Sequence, residues 1–384
     1  MLSLVMIVKN EEHVIERSLQ SALPYVDRWC IVDTGSTDST IEKIHAMAAK
    51  YEKPGTLYER PWLNFGHNRS ELLELARKDT NAAWFFMLDA DDILVCGTND
   101  TKHTKDTKHT KDTKEERPFD QQFSFHDAYT MTFKRGTITY KRPAIFNTKP
   151  WVFKGALHEY AHLDGASIGN IHDRVWVDAR VEGARSQNPN KYQDDALALE
   201  KDFTATPDSR TAFYAAQSWR DCGNSQKSIE WYLQRTRMGG WPQEIYISYL
   251  NLIRLTEDIP LKFKYAWAAL ALQINPRLET AHAVLEYLRK RDLWSPEAYY
   301  LGLAYAEKVK EAKDEAKAKI RKHIDNDLFT EPEVVYKFYD EFSIHSFYTG
   351  HDDIAIINSM KAYFAAPPTE QPRILSNAKF SIQR

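Results

Sequence analysis

Three aspartates, Asp89, Asp91 and Asp92, interrupt the end of the run WFFMLDADDIL at residues 84–94. The short, aromatic-rich apolar part of that run suits a strand buried on both faces. Carboxylates do not belong inside such a strand, so they fall at its C-terminal mouth, the edge where open α/β sheets take ligands. Carboxylates converging there repel one another unless a cation compensates them, and oxygen donors suit Mn²⁺ or Mg²⁺. The spacing therefore suggests a metal that holds a phosphate, with a solvated turn as the competing reading. Asp33 ends a second apolar run, WCIV at residues 29–32, on the same expected edge. Its carboxylate can accept from a nucleobase imide or a ribose hydroxyl, or stabilise a turn as an Asx residue. A third group is the pair His158 and Glu159. These residue types can move a proton or bind a metal, and a surface pair is the competing reading. Adjacent side chains on an extended strand face opposite sides, so both can act only from a loop or bulge. Tyr160 and His162 are nearby alternatives.

The elements that must carry these groups follow from periodicity. Residues 2–8, LSLVMIV, read as a buried strand, and Val14, Ile15, Ser18, Leu19 and Ala22 then recur at helical spacing. The 29–33 run is followed by a turn at Gly35, by Asp38 as a helix cap, and by a helical pattern through Ile41, Ile44 and Ala48. Two strand-then-helix units in about fifty residues argue for a parallel sheet with right-handed crossovers.

These residues resemble a known family. V-x-N-E-E after the first strand, V-D-x-G-S-x-D-x-T after the second, N-F-G-x-N-R at 64–69 and L-D-A-D-D at 88–92 are similar to family 2 glycosyltransferases of the GT-A fold. A fifth segment, from Arg142 through Phe146 to Gly155, His158 and Glu159, is similar to one branch of that family. The resemblance covers roughly residues 1–185. It departs at Lys9, where many relatives carry an aromatic against the base.

The resemblance implies roles. Val8, Lys9, Glu11, Asp33, Arg69 and Asp89 would line the nucleotide, with Asp33 on the base. Asp91, helped by Asp89 and His158, would hold Mn²⁺ or Mg²⁺ on the diphosphate. Arg69 would pair with a carboxylate of the metal site or with a phosphate oxygen; the alternative is an exposed residue at a helix N-terminus. Glu159 would be the base. The implied activity is metal-dependent, inverting transfer of a hexosyl group from a nucleotide sugar, with UDP favoured over GDP, to a protein or glycan acceptor. A degenerate transferase domain serving as a non-catalytic scaffold is the alternative. A nucleotide-sugar hydrolase or pyrophosphorylase-like enzyme is disfavoured, because no glycine-rich nucleotidyltransferase loop follows the first strand.

After about residue 186 the pattern turns helical. Pro207, Pro242 and Pro276, separated by 35 and 34 residues, each precede a helical pattern, with Tyr214, Leu250 and Leu285 in matching places. This resembles tetratricopeptide repeats, whose helix pairs stack into a solenoid. The expected organisation is an α/β GT-A domain, Rossmann-like with a mostly parallel sheet, over residues 1–185 and an all-α TPR-like domain over residues 186–384. That pairing is similar to the architecture of bacteriocin S-glycosyltransferases. The helical domain could recognise an acceptor or pair two copies into a homodimer. Its tail from Ala366 reads as irregular. Within the first domain, the repeat TKHTKDTKHTKDTK at 101–114 sits in a low-complexity insertion of about residues 98–117 and is expected to be a mobile surface loop.

Composition narrows the partners. A net charge of -3 points to no nucleic acid and no acidic membrane surface. No run approaches eighteen apolar residues, so no integral membrane segment is expected, and the expected setting is the cytoplasm, or a host's cytoplasm for a viral chain. Cys30, Cys96 and Cys222 are too scattered for a zinc motif or a disulfide framework.

Overall fold

The structure is a computed structural model that describes residues 1–79, 81–96, 119, 123, 125–136, 138–172, 174–318, 331 and 333–383. The low-complexity insertion of about residues 98–117, with its repeat, lies outside the described residues. The chain forms two compact units, Met1–Asp194 and Asp195–Arg384.

The first unit opens with β1 (Leu2–Val8), α1 (Ile15–Ala22), β2 (Arg28–Asp33), α2 (Thr40–Lys50), β3 (Gly55–Glu59), α3 (Phe65–Asp79) and β4 (Trp84–Met87). β1 pairs in parallel with both β2 and β4, and β2 in parallel with β3. Alternation along β1 explains why the run reads as continuously apolar. Leu4 and Met6 pack with Ile15 and Leu19 on one face, whereas Val5 packs with Leu72, Leu73 and Ala76 on the other. Val8 sits opposite Asp33, and Val5 opposite Met87, so the ends of β1, β2 and β4 open on one edge. The expected helix stripe is the observed one: Ile15, Ser18, Leu19 and Ala22 are the buried residues of α1. Asp38 accepts from the Thr40 amide at 3.0 Å, capping α2 from one residue before its N-cap position, Ser39.

The second half of this unit departs from a simple βα series. It contains β5 (Ile93–Cys96), β6 (Ala128–Arg135), β7 (Ile138–Asn147), β8 (Val152–Lys154), β9 (Tyr160–His162), β10 (Ile168–Asn170) and β11 (Val175–Asp178). Among the described residues the main sheet runs β3-β2-β1-β4-β7-β6-β11-β5, with β10 beside β6. β7 is antiparallel to both β4 and β6, and β11 is antiparallel to β5, so the sheet is mixed although mostly parallel. The short β6–β7 connection, turning at Gly136 with φ of 57°, can join strands only in antiparallel fashion. β8 and β9 form a separate hairpin whose loop holds residues 155–159.

The second unit is helical. After α4 (Lys191–Ala205), which spans the division, come α5 (Ser209–Asp221), α6 (Ser225–Thr236), α7 (Pro242–Leu255), α8 (Leu261–Ile274), α9 (Glu279–Arg289), α10 (Pro296–Ala318), α11 (Val334–Tyr348), α12 (Asp352–Ala365) and α13 (Gln371–Gln383). Pro242 is the first residue of α7, and Gly223 turns between α5 and α6 with φ of 87°. α7 packs against α8 and α9, and α9 against α11, in a stack of helix pairs. Leu250 and Leu285 lie in one buried cluster, with Tyr214 packed against it. The tail is not irregular: α13 buries Ile374, Ala378 and Ser381, spaced four and three residues apart, and packs on α12. Small residues on that stripe gave little apolar signal, which is why the helix escaped a periodicity reading.

Candidate active site

Asp33 ends β2 and is 1% exposed. Its Oδ2 accepts from the amides of Gly35 and Ser36, both at 2.9 Å, in an Asx turn for which Gly35 takes φ of 101°. Its Oδ1 is buried without a hydrogen-bond partner. The two readings of Asp33 are therefore compatible, one oxygen building the turn and the other left as an acceptor that only a ligand or a water could satisfy. Next to it, the Val8 carbonyl accepts from the Thr34 amide and hydroxyl at 2.9 and 3.0 Å. Asn10 Oδ1 accepts from the Thr37 amide at 2.7 Å, and Glu12 Oε2 from the Ser39 amide at 3.0 Å. The segments after β1 and β2 are thereby stitched into one wall. Lys9 is exposed on it.

Beyond β4 the chain turns, with the Asp92 amide donating to the Asp89 carbonyl at 3.1 Å. Asp89 meets two guanidinium groups: Arg69 Nη2 at 2.7 Å on Oδ1 and Arg142 Nη2 at 2.8 Å on Oδ2. Burial alone would raise the Asp89 carboxyl, but these two cations hold it well below the usual carboxylate range. Asp92, 4% exposed, accepts from the Arg180 amide at 3.0 Å, and burial followed by the Asp89 charge pushes it up to about 8. Arg142 also lies 3.6 Å from Asp92 and 4.2 Å from the centre of the Phe133 ring.

Arg69 is buried rather than exposed at its helix end. Its Nε lies 2.8 Å from Glu159 Oε1 and its Nη1 donates to Met87 Sδ at 3.2 Å. The contact to Glu159 depends on how α3 meets the β8–β9 hairpin. The Phe65 amide donates to the Ala156 carbonyl at 3.1 Å, and the Phe153 amide to Ser70 Oγ at 2.8 Å. Gly66 allows this approach, because a Cβ there would overlap the Gly155 carbonyl oxygen. His158 is exposed in the hairpin loop with φ of 52°, whereas the Glu159 side chain is 11% exposed. The left-handed residue is the device that lets neighbouring side chains leave a strand's strict alternation.

Glu11 and Asp91 converge on residues 182–184, which sequence reasoning missed. β11 runs antiparallel to β5 with Asp178 opposite Ile93, so the chain after β11 passes the turn before β5. Asp91 Oδ2 accepts from the Gly183 amide at 2.9 Å, and Glu11 Oε2 from the Ala184 amide at 3.1 Å. Burial pushes Glu11 up to about 7; the Ala184 bond opposes this and the Asp91 charge adds to it.

Residues 3–95 match the model of glycosyl transferase family 2. Over this segment the chain is similar to that family. No curated protein matches the chain. Among solved structures, S. aureus TarS 1-349 in complex with UDP-GlcNAc is 14% identical, with a TM-score of 0.37, over 76% of this chain and 92% of that one. MamA is 12% identical, with a TM-score of 0.33, over 46% of this chain and 89% of its own. The matched segment includes Val8, Lys9, Glu11, Asp33, Arg69, Asp89 and Asp91, while Arg142, His158, Glu159 and the 182–184 segment lie beyond the matched residues.

The fit of a divalent cation turns on which carboxylates can receive it. Among the described residues no three His, Cys, Asp or Glu side chains cluster as a metal centre. Both oxygens of Asp89 already meet guanidinium groups. A cation that keeps several waters and bridges a diphosphate needs only one or two protein carboxylates. Asp91, whose Oδ2 meets the neutral Glu182 and Gly183 amides rather than a guanidinium, fits that requirement, with Glu11 on the neighbouring Ala184 amide. No helix among the described residues is long and apolar enough to cross a membrane.

Proposed function

We propose that this chain is a nucleotide-sugar glycosyltransferase that moves a hexosyl group, with inversion, from a UDP-sugar to a protein or glycan acceptor. The observation that carries the reading is the buried, unpartnered Asp33 Oδ1 at the open edge of a family 2 domain. A uracil imide N–H is a donor that such an acceptor would bind, and each hydrogen bond to a charged group contributes about 1.5–3 kcal/mol. In this reading Val8, Lys9, Glu11 and Asp89 line the nucleotide. Asp91, with His158 as a further candidate and Asp89 reserved for the guanidinium pair, holds Mn²⁺ or Mg²⁺. When bound, the cation neutralises charge on the departing diphosphate.

The chain's own residues do the rest. Glu159 accepts the proton of the acceptor nucleophile, and Arg69 fixes its carboxylate by the 2.8 Å contact at Nε. Because the same guanidinium binds Asp89 at 2.7 Å, the base and the nucleotide wall share one rigid support. Inversion needs a single in-line displacement with one base on the acceptor side, which this arrangement supports. The reading includes a cytoplasmic setting and a helical unit that recognises the acceptor or pairs two copies.

Calorimetry with UDP, with and without Mn²⁺, tests it. Metal-dependent binding that Asp91→Ala removes and Asp33→Asn weakens is the expected result. Absence of binding to UDP or GDP under either condition would favour a scaffold with a degenerate domain.

A further inference from the structure

The segment after β11 lies directly on two carboxylates of the site. The Glu182 and Gly183 amides donate to Asp91 Oδ2 at 3.1 and 2.9 Å, filling both lone pairs of that oxygen. The Ala184 amide lies 3.1 and 3.3 Å from the two oxygens of Glu11. The segment is also clamped from outside. The Glu182 side chain pairs with Arg17 and Arg180, and His13 Nε2 meets the Glu182 carbonyl at 2.7 Å. Gly183 has φ of -63° and ψ of 159°, which any residue can adopt. Its missing side chain matters for another reason: a Cβ would lie 3.1 and 3.2 Å from the Glu11 oxygens and 3.3 Å from Asp91 Oδ2. Glycine lets the chain enter between the two carboxylates.

We propose that residues 182–184 are an autoinhibitory strap, occupying oxygens of Asp91 and Glu11 that a cation–diphosphate complex would otherwise take, and leaving them when that complex binds. The inference rests on the functional reading above. It makes binding a competition: neutral amide donors hold the carboxylates in the free protein, and a divalent cation offers the same oxygens a full charge. A ligand that fits only the strap-open state has its affinity reduced by the fraction of open molecules, and loosening the strap restores it.

The test uses the full-length chain with Gly183→Ala, which crowds the strap against both carboxylates, and Glu182→Ala, which removes its outer clamp without touching them. UDP with Mn²⁺, and Mn²⁺ alone, are titrated by calorimetry, and hydrogen exchange is followed at the amides of residues 182–184. In wild type, saturation with UDP and Mn²⁺ should speed exchange at these amides. In both variants exchange should already be faster in the free protein, and UDP–Mn²⁺ should bind about three- to tenfold more tightly. If one variant does not fold, the other and the wild-type exchange carry the test. Unchanged or slower exchange on saturation, or unchanged or weaker binding in a folded variant, overturns the strap while leaving the functional reading intact. No binding by wild type or either variant overturns both.

Discussion

Arg69 Nε lies 2.8 Å from Glu159 Oε1, while its Nη2 lies 2.7 Å from Asp89 Oδ1. One buried guanidinium thus joins a carboxylate at the end of a parallel strand to a carboxylate on an antiparallel hairpin. Arg69→Ala takes the cation from Glu159 and leaves Asp89 with Arg142 alone. Removing one partner of a buried ion pair costs about 3–5 kcal/mol. Arg69→Lys keeps the charge but cannot span both partners with a single ammonium. We expect Arg69→Lys to unfold near wild type in a denaturant titration yet lose on the order of a hundredfold in donor turnover, from misplacement of Glu159. Wild-type turnover in Arg69→Lys would show that the bridge has no part in catalysis.

Asp33→Asn separates the two duties of Asp33. The amide oxygen can keep the bonds from Gly35 and Ser36, at 2.9 Å in the wild type, while the amide nitrogen replaces the buried acceptor with a donor. The fold should survive. UDP affinity should fall by roughly 10- to 150-fold, corresponding to about 1.5–3 kcal/mol. Calorimetry showing unchanged affinity would place the base elsewhere.

Asp92 ties stability to pH. Burial, reinforced by the Asp89 charge, pushes it up to about 8, from an ordinary carboxylate value of about 4. The native state therefore holds a proton that the unfolded state has released between these values, so stability attributable to Asp92 falls as pH rises through that window. Asp92→Asn mimics the protonated form. The stability of Asp92→Asn relative to wild type should improve as pH rises from 4 to 8, by at most about 1.4 kcal/mol per unit, and stop changing above. Urea titrations at several pH values check this, and a difference independent of pH would refute it.

Much of this site is legible in the sequence because its groups end strands. Asp33 and Asp89 follow apolar runs, and parallel pairing with β1 brings them to one edge. The helices of α1 and α5 to α9 are equally legible, since their buried residues recur at helical spacing. What the sequence conceals is long-range pairing. Arg142 lies 53 positions from Asp89, and nothing local says that its guanidinium rather than a cation meets that carboxylate. The 182–184 segment contributes backbone amides, which every residue except proline possesses, so no residue type marks it. The burial of Asp92, one residue after the more open Asp91, comes from its bond to the Arg180 amide, again a register effect.

In the helical unit, Arg235 is fully buried and donates to Glu244 Oε2 through Nε and Nη2, at 3.1 and 3.0 Å. Arg235→Ala should destabilise that unit by about 3–5 kcal/mol, whereas an apolar pair of similar volume, Arg235→Met with Glu244→Met, should recover most of the loss. Thermal unfolding distinguishes the two. Equal destabilisation by both would mean that the ion pair, rather than its desolvation, carries the stability.

Gly66→Ala probes how the fold delivers Glu159 to Arg69. A Cβ at residue 66 would overlap the Gly155 carbonyl oxygen and sit 3.0 Å from that of Phe153, both backbone atoms that cannot swing aside as a side chain would. The β8–β9 hairpin would have to move away from α3, stretching the Phe65–Ala156 and Phe153–Ser70 bonds. Overpacking of this kind costs about 1–3 kcal/mol. Because Asp33 and β2 are not part of that contact, UDP affinity should hold while turnover falls with the displaced base. A variant that loses UDP affinity and turnover in equal measure would mean that the hairpin supports the nucleotide as well, and that Glu159 is not being moved independently of it.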